Sequence, residues 1–216
     1  MVHPLIQSLG WLAATFGAVA FFGQHRRSVR NGLEGVSLST WLLFCLNGGL
    51  WALYGVFFAH SSEVVIGSLI CLPFQFAIVV RLAPWKNYCA TVAATGVFFG
   101  CCVLPGVIGG WSASAYGAGV AMMLLRVPQL FVLMRVGRAI GVSSTSWFLV
   151  AGSTGLWVLY YGSLNLWAPM VAFAGSGIMS TIIGMLAARR HHSHNNWKVS
   201  HFGGAFDWGA SHALEG

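Results

Sequence analysis

The side chains able to do chemistry in this sequence are few, and their types suit holding a polar solute rather than transforming one. Trp51 and Trp157 stand at matched positions of a repeated segment, and an indole combines a flat apolar face with one N–H donor. Asn47 and Ser153 each precede their tryptophan by four residues, one helical turn away on the same face. If the indoles look into a cavity, these polar groups do too, and Gln75 adds a further amide. Plain packing of the indoles and interhelical hydrogen bonding of the polar groups are the competing readings, and both stay open at this stage.

Arg126 lies about 12 residues into an apolar run, roughly 18 Å from its outer end. A charge at such a depth costs upward of ~3 kcal/mol. It either snorkels toward the nearer face or meets an anion or a gate along a pathway. Pro128 removes a backbone donor two residues later and, with Gln129, marks an inner hinge or a tolerated kink. Gly23 and Gln24 hold the equivalent place in the first half, where glycine supplies flexibility without a proline.

Several chemistries are excluded. No Asp or Glu falls within any predicted helix, because Glu34 and Glu63 are assigned to loops and Asp207 and Glu215 to the tail. That leaves no carboxylate pair for an aspartyl protease, no helix-borne histidine base for a serine protease, and no lysine in the last helix for a Schiff base. Proton coupling lacks its usual carriers too, so facilitated diffusion is expected. The five cysteines have no metal-ligand spacing and read as small packing residues. His191, His192 and His194 form a short tract that is either solvated or metal-binding. No enzyme activity, cofactor or nucleic-acid partner is expected.

The elements that position these groups follow from composition and repetition. With 57% hydrophobic and 7% charged residues in 216, the chain cannot clothe a soluble globule. Seven apolar stretches of spanning length are predicted as helices: 5–23, 38–59, 64–83, 88–109, 114–134, 145–163 and 168–188. The segment Gly35 to Tyr54 recurs 106 positions later as Gly141 to Tyr160, with ten of twenty pairs identical. Four crossings separate the two copies, so they are parallel repeats, a layout in which substrate sits where the halves meet. The predicted fold is all-α: residues 1–83 as a first three-helix bundle, 84–113 as a linking helix, 114–188 as a second bundle, and 189–216 as a basic disordered tail. Arg26, Arg27, Arg30, Arg81, Lys86, Arg135, Arg138, Arg189, Arg190 and Lys198 all fall on one side. The loops opposite contain no Lys or Arg, which places the N-terminus outside and the C-terminus in the cytoplasm. Trp41 and Trp147, at the helix ends on the basic side, are expected to be interface anchors. The net charge of +7 then suits anionic lipid.

Pro128-Gln129, a basic loop, Gly141-Val142-Ser143 and Trp157-Val158-Leu159-Tyr160 together resemble the PQ-loop pattern of the SWEET, SemiSWEET and PQ-loop transporters. Gln24, Gly35-Val36-Ser37 and Trp51-Ala52-Leu53-Tyr54-Gly55 repeat it, and the resemblance covers residues 5 to 188. It implies a plasma-membrane uniporter moving mono- or disaccharides by alternating access, with Trp51 and Trp157 as pocket tryptophans. It also implies an asparagine on the third helix of each unit, where this sequence has Gly67 and Phe173. An amino-acid or small organic-anion carrier using Arg126, and a receptor or scaffold that does not transport, are the alternatives. The partners expected are a small solute and the bilayer. A homo-oligomer is compatible with two complete units but not required by them.

Overall fold

The computed structural model describes residues 4–135 and 139–202, which are helical with no strand among them. In chain order α1 is Pro4–Asn31, α2 Leu38–Tyr54, α3 Ser62–Arg81, α4 Tyr88–Phe98, α5 Leu104–Leu124, α6 Val127–Arg135, α7 Ser144–Ser163 and α8 Trp167–Phe202. One-turn π segments, Gly55–Ala59 and Phe99–Val103, continue α2 and α4. Serine starts three of these helices. Ser37, Ser61 and Ser143 accept from the backbone N–H three residues on and so satisfy one orphan donor each.

Five apolar helical runs among the described residues are long enough to cross a bilayer: Pro4–Asn31, Leu38–Ala59, Ser62–Arg81, Tyr88–Arg135 and Trp167–His192. The chain is an integral membrane protein. Seven spans were expected, and the difference has two physical sources. The run Tyr88–Arg135 is continuous in composition over 48 residues, yet Gly110 leaves helical geometry at φ 71°, ψ −165° and the chain turns back there. Ser114 Oγ donates to the Cys102 carbonyl at 3.0 Å, whereas twelve residues along one straight helix span roughly 18 Å. α7 has the length, at 20 residues, but its Ser, Thr, Gly, Trp and Tyr dilute its hydropathy.

Six helices close into a ring. α1 packs on α3 and α7, α7 on α8, α8 on α5, α5 on α2, and α2 back on α3, with α4 outside against α2. Small residues permit the close approaches, as hydrocarbon provides no hydrophobic drive between helices. A Cβ on Gly23 of α1 would meet Ser146 Oγ of α7 at 2.9 Å, and one on Gly17 would meet Ser153 Oγ at 3.3 Å.

Several expectations need correction. α1 runs on to Asn31, so Arg26, Arg27 and Arg30 are helical rather than in a loop, and His25 is helix-borne. Glu63 lies in the first turn of α3 and is buried, where a carboxylate complements the helix N-terminus. Polar residues extended these helices beyond their apolar cores. Trp41 and Trp147 are 2% and 3% exposed, so they are not interface anchors: Trp41 packs edge-on to Phe21, and Trp147 lies against Phe44. The tail begins as a continuation of α8 to Phe202. Arg138 and the tail from Gly203 lie outside the described residues, as do the side chains of His194 and Lys198.

A Cβ on Gly117 would sit 1.4 Å from the Cys101 carbonyl, whereas one on Gly100 meets nothing within 4 Å. Gly117→Ala is therefore expected to lower stability by about 1–3 kcal/mol. Gly100→Ala should leave it unchanged or raise it, by up to ~1 kcal/mol. Thermal unfolding in detergent separates the two.

Candidate functional site

The ring encloses a cavity of ≈ 120 Å³ to which all six ring helices contribute. Trp51, Trp157, Asn47, Ser153, Gln75 and Arg126 all line it. The spacing that put Asn47 one turn before Trp51, and Ser153 one turn before Trp157, does bring each pair to one wall. On α3 the same four-residue step aligns Gly67, Cys71 and Gln75 along the opposite wall. α1 faces the cavity with Ala13, Ala14 and Gly17, whose short side chains leave the space open.

Aromatic rings form one end of this chamber. Tyr161 stacks on Trp157 at 5.6 Å and 26°, and Phe173 lies 5.7 Å from Trp51 and 5.9 Å from Trp157. Trp51 is 6% exposed, so a lipid-facing belt position is ruled out. Tyr161 and Val64 also line a second space, a vestibule of ≈ 660 Å³ at the end of the bundle that carries His60, Ser61 and Leu164. Glu63 belongs to that vestibule. Its Oε2 accepts from Ser61 Oγ at 2.9 Å and Ser62 Oγ at 3.1 Å, and Ser61 is 3.2 Å from the Tyr160 hydroxyl.

The chamber's polar atoms divide into those with protein partners and those without. Ser153 Oγ donates to the Ala13 carbonyl at 2.8 Å, so its hydrogen ties α7 to α1. Trp51 Nε1, Asn47 Oδ1 and Gln75 Oε1 are buried and have no hydrogen-bond partner. The three residues that carry these atoms line one chamber, and a buried polar group left bare costs about 1–3 kcal/mol. A ligand or water that hydrogen-bonds in the chamber relieves that cost.

Arg126 is 1% exposed and sits where the helix breaks between α5 and α6. Its backbone N–H reaches Met123 O at 3.3 Å rather than the usual carbonyl four residues back. The Met122 carbonyl thus released takes a hydrogen bond from Arg126 Nη1. Nε donates to Ser180 Oγ of α8 at 2.8 Å, and the guanidinium lies 5.2 Å from the Phe44 ring centroid. Snorkelling to a membrane face does not describe this residue. Pro128, just after the break, cannot donate to the carbonyl four residues back, which explains why the helix fails to continue here.

At the basic end two buried glutamines close the ring by a reciprocal pair of clamps. Gln24 of α1 donates to the Gly141 carbonyl at 2.7 Å and accepts from the Ser143 N–H at 2.7 Å. Gln129 of α6 donates to the Gly35 carbonyl at 2.6 Å and accepts from the Ser37 N–H at 3.0 Å. Each amide therefore reads the Gly-Val-Ser turn of the other half as a backbone would. The turns also touch directly, Gly141 N–H to Glu34 O at 3.1 Å, and a Cβ on Gly141 would lie 2.5 Å from the Gly32 carbonyl. Gly23 is no break: α1 passes through it as helix, and its role is close approach to Ser146.

Sequence reasoning missed Tyr161, Phe173 as a wall, and Phe44. A signal existed for the first, since Tyr161 is four residues beyond Trp157 and so on its face. Phe44 had none, because its repeat partner is Val150. No family model, curated protein or solved structure matches the chain.

Trp51→Phe keeps the ring but removes the bare N–H, so the ligand-free protein should hold its stability or gain about 1 kcal/mol. Gln24→Leu and Gln129→Leu each strip partners from two buried backbone groups and should lose about 1–3 kcal/mol. Melting temperatures in detergent check both, and equal losses from the two glutamine variants would match the reciprocity of the clamps.

Proposed function

We propose that this protein is a facilitative carrier of small sugars of the SWEET/PQ-loop type, working by alternating access. The observation that carries the reading is the set of bare polar atoms at the chamber. Trp51 Nε1, Asn47 Oδ1 and Gln75 Oε1 ask for a solute that accepts once and donates twice. Hydroxyl groups do both, while Trp157 and Phe173 provide faces for the C–H side of a ring. At about 10–15 Å³ for each water-sized position, a chamber of ≈ 120 Å³ holds roughly ten. That is close to the non-hydrogen content of a monosaccharide and well short of a disaccharide.

Internal symmetry supports the two-unit organisation, 3+1+3, with residues 5–83 rocking against 114–188 and α4 as the link. Exchanging α1 with α5 and α6, α2 with α7, and α3 with α8 maps the order of the ring onto itself. The same exchange maps one glutamine clamp onto the other. With the basic end in the cytoplasm, Gln24 and Gln129 close the inner side, Pro128 marks the hinge of α5 and α6, and the vestibule faces outward. Gly23 contributes packing at the matching place rather than a second hinge. Glu63 and His25 are ionisable groups within helices, and both lie off the chamber, so the reading stays uniport.

Labelled glucose should enter liposomes containing only this protein down its gradient, saturably and without a pH gradient. Trp157→Ala should cut that flux roughly tenfold or more, as stacking and burial contribute a few kcal/mol. A folded protein that binds glucose yet passes no solute would instead be a receptor. Cys71 lines the chamber, so a variant retaining only this cysteine reports its access. Adding Gln129→Ala should speed labelling of Cys71 by an impermeant thiol reagent applied from the basic side, and an unchanged rate would remove Gln129 from the gate.

A further inference from the structure

Among the described residues, Arg126 is the only charged one lining the chamber. Its protein contacts, Ser180 Oγ, the Met122 carbonyl and the Phe44 ring, are all uncharged. Nε and Nη1 are engaged and Nη2 takes no protein hydrogen bond. Glu63, the buried carboxylate, is held in the vestibule by Ser61 and Ser62 and does not line the chamber. The residues lining the chamber therefore carry an uncompensated positive charge together with a bare indole N–H and two bare amide oxygens.

We propose that the preferred substrate class is the polyhydroxylated monocarboxylate, a sugar acid whose carboxylate pairs with Arg126 and whose hydroxyls satisfy Asn47, Gln75 and Trp51. The proposal rests on the carrier reading above and names its substrate more closely. A neutral sugar meets the three bare atoms but leaves the guanidinium charge uncompensated. A plain carboxylate or inorganic anion only accepts, so it pairs with Arg126 and leaves the Asn47 and Gln75 oxygens bare. An amino acid can pair its carboxylate with Arg126, but it brings an ammonium, a second positive charge, into a chamber lined by no carboxylate. A carboxylate with hydroxyls answers every group without adding positive charge, and a guanidinium nitrogen still free to donate suits a charge-assisted bond.

The test uses the full chain in liposomes with gluconate, glucose and acetate as probes. Gluconate should inhibit labelled glucose flux at concentrations roughly tenfold lower than unlabelled glucose does, and acetate should not compete. Labelled gluconate uptake should accelerate when the lumen is made positive with a potassium gradient and valinomycin, because the solute carries net charge, whereas glucose uptake should not respond. Arg126→Gln should weaken gluconate roughly thirtyfold or more, with monodisperse elution and the melting temperature in detergent reporting that the variant has folded. Ser180→Ala, which frees Nε without altering charge, should keep gluconate transport even if Arg126→Gln does not fold. Glucose flux with neither inhibition nor uptake of gluconate overturns the sugar-acid assignment and leaves the carrier standing. No flux of any solute through folded protein overturns both.

Discussion

A polar atom inside a ring of membrane helices has no solvent to turn to, because hydrocarbon accepts no hydrogen bond and donates none. Most such atoms here find a partner in the protein, and that requirement organises the molecule from end to end. Serine caps answer the first turns of α2, α3 and α7. The Arg126 guanidinium takes up the Met122 carbonyl that its own backbone abandons at the break. At the basic end the glutamine amides answer the backbone of two turns that are joined to each other and would otherwise bury bare groups. Of the residues left with a bare polar atom, Trp51, Asn47 and Gln75 lie where the six helices leave space, whereas His25, Thr40 and Ser176 lie away from it.

The same constraint separates scaffold from site. Between α1 and α7 the contact is made by small residues, Gly17, Gly23 and Ser153, and the Ser153 hydroxyl is fully used by the Ala13 carbonyl. These residues let two backbones approach and then hold them. Opposite, α2 and α3 present amides and an indole whose hydrogen-bonding capacity is unused. At one repeat position, then, Ser153 of α7 ties the ring together while its partner Asn47 of α2 keeps an unpartnered oxygen. The repeat is symmetric in backbone and asymmetric in the chemistry it offers.

Much of this was legible in the chain. The duplicated Gly-Val-Ser and Trp-x-Leu-Tyr segments located the matched tryptophans, and the four-residue step placed Asn47 beside Trp51 and Ser153 beside Trp157 on the chamber wall. Local rules suffice there, because a helix fixes which residues share a face. They fail at helix ends, where α1 carries its arginines as helix and α3 takes in Glu63, since capping and tertiary contacts decide how far a polar end remains wound. They fail too at Trp41 and Trp147, which an interface preference sends to the membrane surface and which packing with Phe21 and Phe44 buries instead.

By itself the sequence determined that the protein lies in a membrane, that its backbone is helical, and that the segment Gly35 to Tyr54 recurs as Gly141 to Tyr160, because hydropathy and repetition are properties of the chain alone. Only the tertiary structure decided which polar atoms go unanswered. Gln24, Gln75 and Gln129 are one residue type in three apolar helices, and nothing local distinguishes them. Gln24 and Gln129 meet a turn of the opposite half, more than ninety positions away, and become clamps. The Gln75 oxygen meets no partner and its residue lines the chamber, since hydrogen-bond satisfaction depends on which distant backbone arrives within reach.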